Sequence, residues 1–159
     1  MIIRNILIPY EGSPLSKKAL ELGKEIARNF NANLELLMVI PMFYPMSEPS
    51  IYTGATMADY GKIIKELKTR GEKEIKKVTE ECREQGVKAF YKVVEGDVSY
   101  MILKYAKKNK TNLIIMGSRR MKGLSAIKRL GSTARFISEH ATCPVTIVHW
   151  FFIDELKIL

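Results

Sequence analysis

At 159 residues, with 47% apolar and 27% charged side chains, the chain is the size of one domain and can bury a full core. No apolar run approaches the length of a membrane span, and two cysteines, Cys82 and Cys143, fit neither a disulfide framework nor a metal site. The net charge of +9 favours anionic partners, although clusters such as Lys76-Lys77 and Lys104 to Lys110 read as solvated helix faces.

The chain starts directly in a strand pattern, without the basic start, apolar core and cleavage site of a signal peptide, so the expected compartment is the cytoplasm. Asn5 to Tyr10 reads as a buried strand: Ile6, Leu7 and Ile8 run together and Pro9 ends the run. Glu11-Gly12-Ser13-Pro14 is turn chemistry, with Ser13 able to cap a helix and Pro14 suited to its first turn. From Leu15 to Phe30 apolar residues recur at helical spacing (Ala19, Leu22, Ile26, Phe30), and Asn31-Ala32-Asn33 closes the helix. Leu34 to Ile40 is a second apolar run, broken only by Glu35.

Pro41 to Thr56, rich in proline, reads as a long loop, and its Met42, Phe43, Tyr44 and Met46 suit either a lid or a subunit contact. A long helix is predicted from Met57 to Gln85, with Tyr60, Ile64, Leu67, Gly71, Ile75, Val78 and Cys82 on one face and Gly86 as the stop. Ala89 to Val94 is a strand, and Asp97 can cap a helix over Val98 to Lys108. Asn112 to Met116 is the fourth strand, Ser132 to Glu139 a helix, and Val145 to His149 the fifth strand.

Strands and helices in this alternation predict a single-domain α/β fold, with an open five-stranded parallel sheet and helices on both faces. Continuous apolar strands agree with burial on both sides of the sheet. Ligands in such folds sit beyond the carboxyl ends of the strands, where the strand order reverses. With the first strand beside the fourth, that crevice gathers Pro9, Tyr10 and Glu11 with Gly117 and Ser118.

The segment from Leu113 to Val148 carries the strongest functional pattern. The apolar run Leu113 to Met116 breaks at Gly117-Ser118, and a basic loop ends at Gly131-Ser132. Glycine-serine pairs at helix starts leave backbone N–H groups pointing outward, and the helix dipole favours an anion there. The loop between them holds Arg119, Arg120, Lys122, Lys128 and Arg129 and no carboxylate, so phosphate binding is the first expectation. Ser132, with Thr133 after it, reads as a phosphate ligand, a helix cap or both, and Tyr10 as a cover for a base or a packing residue. His140 and His149 lack metal-ligand partners at useful spacing and read as structural, and Cys143 as a small core residue.

The residues resemble the universal stress protein family. Asn5-Ile6-Leu7-Ile8-Pro9 with Gly12-Ser13 and Ala19-Leu20 resembles the family's start. Leu113 to Arg119, Leu130-Gly131-Ser132 and Cys143-Pro144-Val145 resemble its C-terminal signature. The resemblance spans Met1 to about His149, leaving 150–159 as an apolar extension expected at a dimer interface. It implies strand order 3-2-1-4-5, a Rossmann-like, adenine nucleotide alpha hydrolase-like sheet, and a homodimer through the fifth strand. In one branch it also implies bound ATP, with Mg2+ only as carried by the nucleotide.

That branch has a glycine spacing that this chain matches in part. Gly117 fits the first glycine and Gly131-Ser132 the last pair, whereas Arg120 replaces the middle glycine, the interval to Gly131 is one residue longer, and Gly123 sits off register. Glu11 stands where the family usually has Asp on the adenosine part, and Val39 falls where an apolar residue meets the base. An arginine at 120 adds bulk where backbone approaches phosphate, or pairs with the phosphate itself.

The expected function is a non-catalytic, cytoplasmic ATP-binding module of the stress response, since no nucleophile elbow, zinc-protease motif or Walker lysine is present; slow ATP hydrolysis is left open. The competing readings are a stress-protein dimer that acts through protein contacts without nucleotide, a basic binder of nucleic acid or acidic partners, and a nucleotide-transfer enzyme of similar architecture. Nucleic acid is the less favoured partner because the chain has no recognition motif, and no membrane partner is expected.

Overall fold

The computed structural model describes residues 2–42, 57–118 and 130–149. Its elements alternate as β1 (Asn5–Pro9), α1 (Pro14–Phe30), β2 (Asn33–Pro41), α2 (Met57–Glu84), β3 (Lys88–Gly96), α3 (Val98–Lys108), β4 (Leu113–Gly117), α4 (Ser132–His140) and β5 (Val145–Val148). The expected cover over 43–56 and the apolar tail over 150–159 lie outside the described residues.

The five strands form one sheet in the order β3-β2-β1-β4-β5, and every pairing is parallel. Register places Leu7 of β1 opposite Glu35 of β2 and Ile114 of β4. Parallel neighbours need crossovers, and these lay helices on both faces. On one face α1 and α2 pack Ala19, Leu20, Ile75 and Cys82 against Ile6, Ile8, Leu34 and Leu36. On the other, α3 and α4 pack Ile102, Ala106 and Ile137 against Leu7, Leu37 and Ile114. Because β1 is covered on both sides, Ile6, Leu7 and Ile8 are all fully buried, and this is why its sequence runs apolar without alternation.

Local chemistry sets the element ends. The Ser13 hydroxyl accepts from the Ser16 N–H at 3.1 Å, Pro14 opens α1, and Asn31 ends it in the left-handed region at φ 49°. Asp97 Oδ1 accepts from the Tyr100 N–H at 2.8 Å and starts α3. Gly86 follows α2 at φ 78°, a conformation that glycine adopts without strain.

Two residues depart from the helical patterning. Phe30 is 55% exposed and Leu67 is 42% exposed, although each falls on its helix's apolar face. For α2 the reason is length. Its 28 residues span about 42 Å at 1.5 Å per residue, against about 30 Å for a nine-residue strand. Burial is firm at Gly71, Ile75, Thr79 and Cys82 and fades toward Ile64, Leu67 and Ile63 as the helix outruns the sheet. Among the described residues no helix is long and apolar enough to cross a membrane, and no group of three metal-ligating side chains comes together.

Candidate functional site

Connections run from β1 to β2 on one side and return to β4 on the other, so the strand order reverses between β1 and β4. Beyond the carboxyl ends of these strands lies a cleft of about 460 Å³, within the range of small-molecule sites. Pro9 and Glu11 enter it from the end of β1, Val39 and Pro41 from β2, Gly117 and Ser118 from β4, and Gly131, Ser132 and Thr133 from the start of α4. Val98, Ile102 and Met116 complete an apolar wall.

The start of α4 is the anion-attracting part. Gly131 occupies the cap position at φ −59°, ψ 155°, and no side chain caps the helix. The first helical bond is Arg135 N–H to Gly131 carbonyl at 3.0 Å. The preceding amides of Ser132, Thr133 and Ala134 therefore belong to the turn that an α-helix leaves without internal partners. Ser132 is the first helical residue and not the cap, which corrects that part of its sequence reading.

Gly117-Ser118 behaves differently from expectation. Gly117 ends β4, and the Ser118 N–H donates to the Val148 carbonyl at 2.9 Å, so this amide is used inside the sheet rather than offered to a ligand. An added Cβ at Gly117 would lie 2.7 Å from Leu15 Cβ, so the missing side chain lets the first turn of α1 close against β4.

Glu11 is the one carboxylate among the described residues that line the cleft, and it is exposed. The Ser13 hydroxyl donates to it while also capping α1. Tyr10 points the other way. It is 2% exposed in the α1–α2 core, and its hydroxyl donates to Glu74 Oε1 at 3.4 Å. Burial, reinforced by Glu74, pushes its phenol up to about 12, so it stays a neutral donor. Of the two sequence readings for Tyr10, packing is the one the geometry supports, and it does not line the cleft.

Arg119, Arg120 and Gly123 lie outside the described residues. Ser13, Val98, Ile102 and Met116 were not singled out in the sequence as cleft residues. A hydroxyl two residues after Glu11 was the available signal for Ser13, whereas the apolar wall residues carry ordinary core periodicity. The His140 ring stacks on Phe136 at 4.2 Å, and its Nδ1 lies 2.8 Å from the Phe136 carbonyl. Cys143 packs against the α3–α4 core, and burial pushes its thiol up, away from nucleophile chemistry.

A helix start that favours an anion, a carboxylate that accepts from hydroxyl groups and an apolar wall between them surround one space. This belongs to the class of doubly wound α/β proteins that take ligands at the switch point of the sheet. The universal stress protein family model matches residues 3–149, and the chain belongs to that family. It is 32% identical over 148 residues to a universal stress protein of Methanocaldococcus jannaschii, covering 92% of this chain and 82% of that one. Among solved structures, universal stress protein UspA from Lactobacillus plantarum superposes with a TM-score of 0.75 at 19% identity, covering 93% of this chain and 99% of its own. A universal stress protein family protein from Arabidopsis thaliana with AMP bound gives a TM-score of 0.66 at 21% identity, covering 96% and 94%. At such identities the likeness is one of fold.

Proposed function

We propose that the chain binds an adenine nucleotide, ATP with the Mg2+ it carries, in the cleft between β1 and β4, and that it serves as a non-catalytic, cytoplasmic, homodimeric stress-response module. The observation that carries this reading is the convergence of Glu11 with the uncapped α4 start at Gly131, Ser132 and Thr133 around one apolar cleft. The α4 amides and dipole suit phosphate oxygens. Glu11 suits ribose hydroxyls, and the wall around Val39, Val98 and Ile102 suits a flat base. Arg119 and Arg120 in the adjoining loop add positive charge for the phosphates. The AMP-bound relative of the same fold supports the ligand class.

The Glu11 carboxylate, the one acidic group among the described residues that line the cleft, already accepts from the Ser13 hydroxyl, which supports binding without turnover. Calorimetry with ATP and ADP on protein freed of co-purified nucleotide is the test. Saturable binding that weakens at least about tenfold in Gly131→Val, where a branched side chain crowds the helix start, supports the reading. Absence of binding, with no nucleotide in an extract of the purified protein, would sink it.

A further inference from the structure

Tyr10 and Glu11 are consecutive residues leaving an extended strand, so their side chains point to opposite sides of the sheet. Glu11 lines the cleft, and Tyr10 reaches back to Glu74 on α2, 64 residues away in sequence. Glu74 also stands behind Gly12, two residues after Tyr10. A Cβ at Gly12 would sit 2.5 Å from Glu74 Oε1, and Gly12 itself is at φ 79°. The positive φ is what favours glycine at this position, and the Glu74 carboxylate occupies the space a side chain would take.

The turn that presents Glu11 is thus held at several points. Its start is tied to β2 by the Tyr10 N–H to the Leu37 carbonyl at 2.9 Å. Its end is tied to α1 through the Ser13 cap, and that same hydroxyl donates to Glu11 in front. Behind the middle of the turn stands Glu74. The buried phenol of Tyr10 donates to the Glu74 carboxylate, which lies in the space behind Gly12.

We propose that Glu74 is a positioning residue for the cleft: through Tyr10 and the Gly12 backbone it sets where Glu11 presents its carboxylate to the hydroxyl groups of a ligand. This rests on the nucleotide reading of the cleft. Glu74 is absent from the cleft lining, so its effect reaches the ligand only through the turn. It makes α2 part of the binding apparatus without any contact to the ligand, and it links the cleft to the helix that follows the 43–56 segment.

The test compares ATP with 2′,3′-dideoxy-ATP, which keeps base and triphosphate and lacks the hydroxyls that Glu11 would accept from. Wild type prefers ATP. Tyr10→Phe and Glu74→Ala each lower ATP affinity about fivefold, the scale of one hydrogen bond, and leave the dideoxy analogue within twofold. The double variant loses no more than either single one, because the two residues act as one unit. Glu74→Gln keeps both shape and acceptor and stays near wild type. Thermal melts of each variant establish that it is folded, and Tyr10→Phe, which keeps its buried ring, carries the test should Glu74→Ala unfold. ATP affinity unchanged in both single variants overturns the proposal. So does an equal loss for the two ligands, which is the mark of general loosening. Wild type that binds neither ligand overturns the nucleotide reading itself, and this inference with it.

Discussion

At Gly117 an added Cβ would stand 2.7 Å from Leu15 Cβ and 2.9 Å from the Leu15 carbonyl carbon. One of these neighbours is backbone and cannot rotate away, so Gly117→Ala forces α1 off β4. It is expected to lower stability by about 1–3 kcal/mol, the usual scale of overpacking, as read by urea denaturation. Glu35 makes the opposite case. It sits near the start of β2 among Leu7, Phe90 and Tyr105, and its Oε2 is buried without a hydrogen-bond partner among the described residues. Burial pushes its carboxyl up, with a hydrogen bond from Tyr105 pulling the other way. Burial and Glu35 likewise raise the Tyr105 phenol to about 12. A raised carboxyl means that the folded state holds a proton the unfolded state has released. Stability is therefore fullest below the ordinary carboxylate range and falls as pH rises through the raised value. Glu35→Gln keeps the shape, removes the buried charge and is expected to melt higher than wild type at neutral pH, with that slope flattened. A Glu35→Gln protein that melts lower at pH 7 would refute the account.

At the scale of elements, the helix starts separate structural from functional demand. The α1 and α3 helices open on Ser13 and Asp97, whose side chains accept from their own first turns. The α4 helix opens on Gly131 with no side-chain cap, at backbone angles that any residue adopts. A helix start that forgoes a cap where one would fit leaves its amides for something else. Gly131→Asp supplies the cap, so its two effects should carry opposite signs. Stability rises by about a few tenths of a kcal/mol, while ATP affinity falls at least about tenfold because a carboxylate now competes with phosphate. Melting curves and calorimetry on the same preparation read both. If the substitution weakens both equally, the missing cap has only a packing reason.

Element existence was legible in the sequence because each segment's period announces its type. Period four and three in α2, and continuous apolar runs in β1 and β4, leave little choice. Depth of burial was less legible. Periodicity names the inward side of a helix but not how far the sheet extends beneath it, and so Leu67 falls on the right side and remains 42% exposed. The site divided along the same line. Glu11, Val39, Gly131, Ser132 and Thr133 all line the cleft, where the ends of β1 and β2 meet the start of α4. The role of the Ser118 amide was not legible, because its partner is the Val148 carbonyl on a strand that only the assembled sheet sets beside it.

For the whole molecule, sheet order leaves two edge strands, β3 and β5. β3 carries exposed Lys88 and Lys92 around Phe90, the kind of charged edge that resists pairing with another chain. β5, Val145–Val148, carries only apolar residues and a threonine, all half-buried in the single chain. An apolar, uncharged edge is the one suited to a second copy, and light scattering after size exclusion is expected to give twice the 18.2 kDa chain mass. A monomer mass at micromolar concentration would remove β5 as a subunit interface.

The sequence by itself determined the alternation of strands and helices and the parallel sheet that this alternation imposes. These follow from local spacing and from the steric rules of crossovers, which act on neighbouring residues. Only the tertiary structure decided that Tyr10 turns away from the cleft to Glu74, that Gly117 serves the approach of α1, and that the Ser118 amide is spent on β5. Each of those outcomes depends on a partner remote in the chain, and the direction of a side chain or the use of an amide is settled by which remote group arrives within bonding distance.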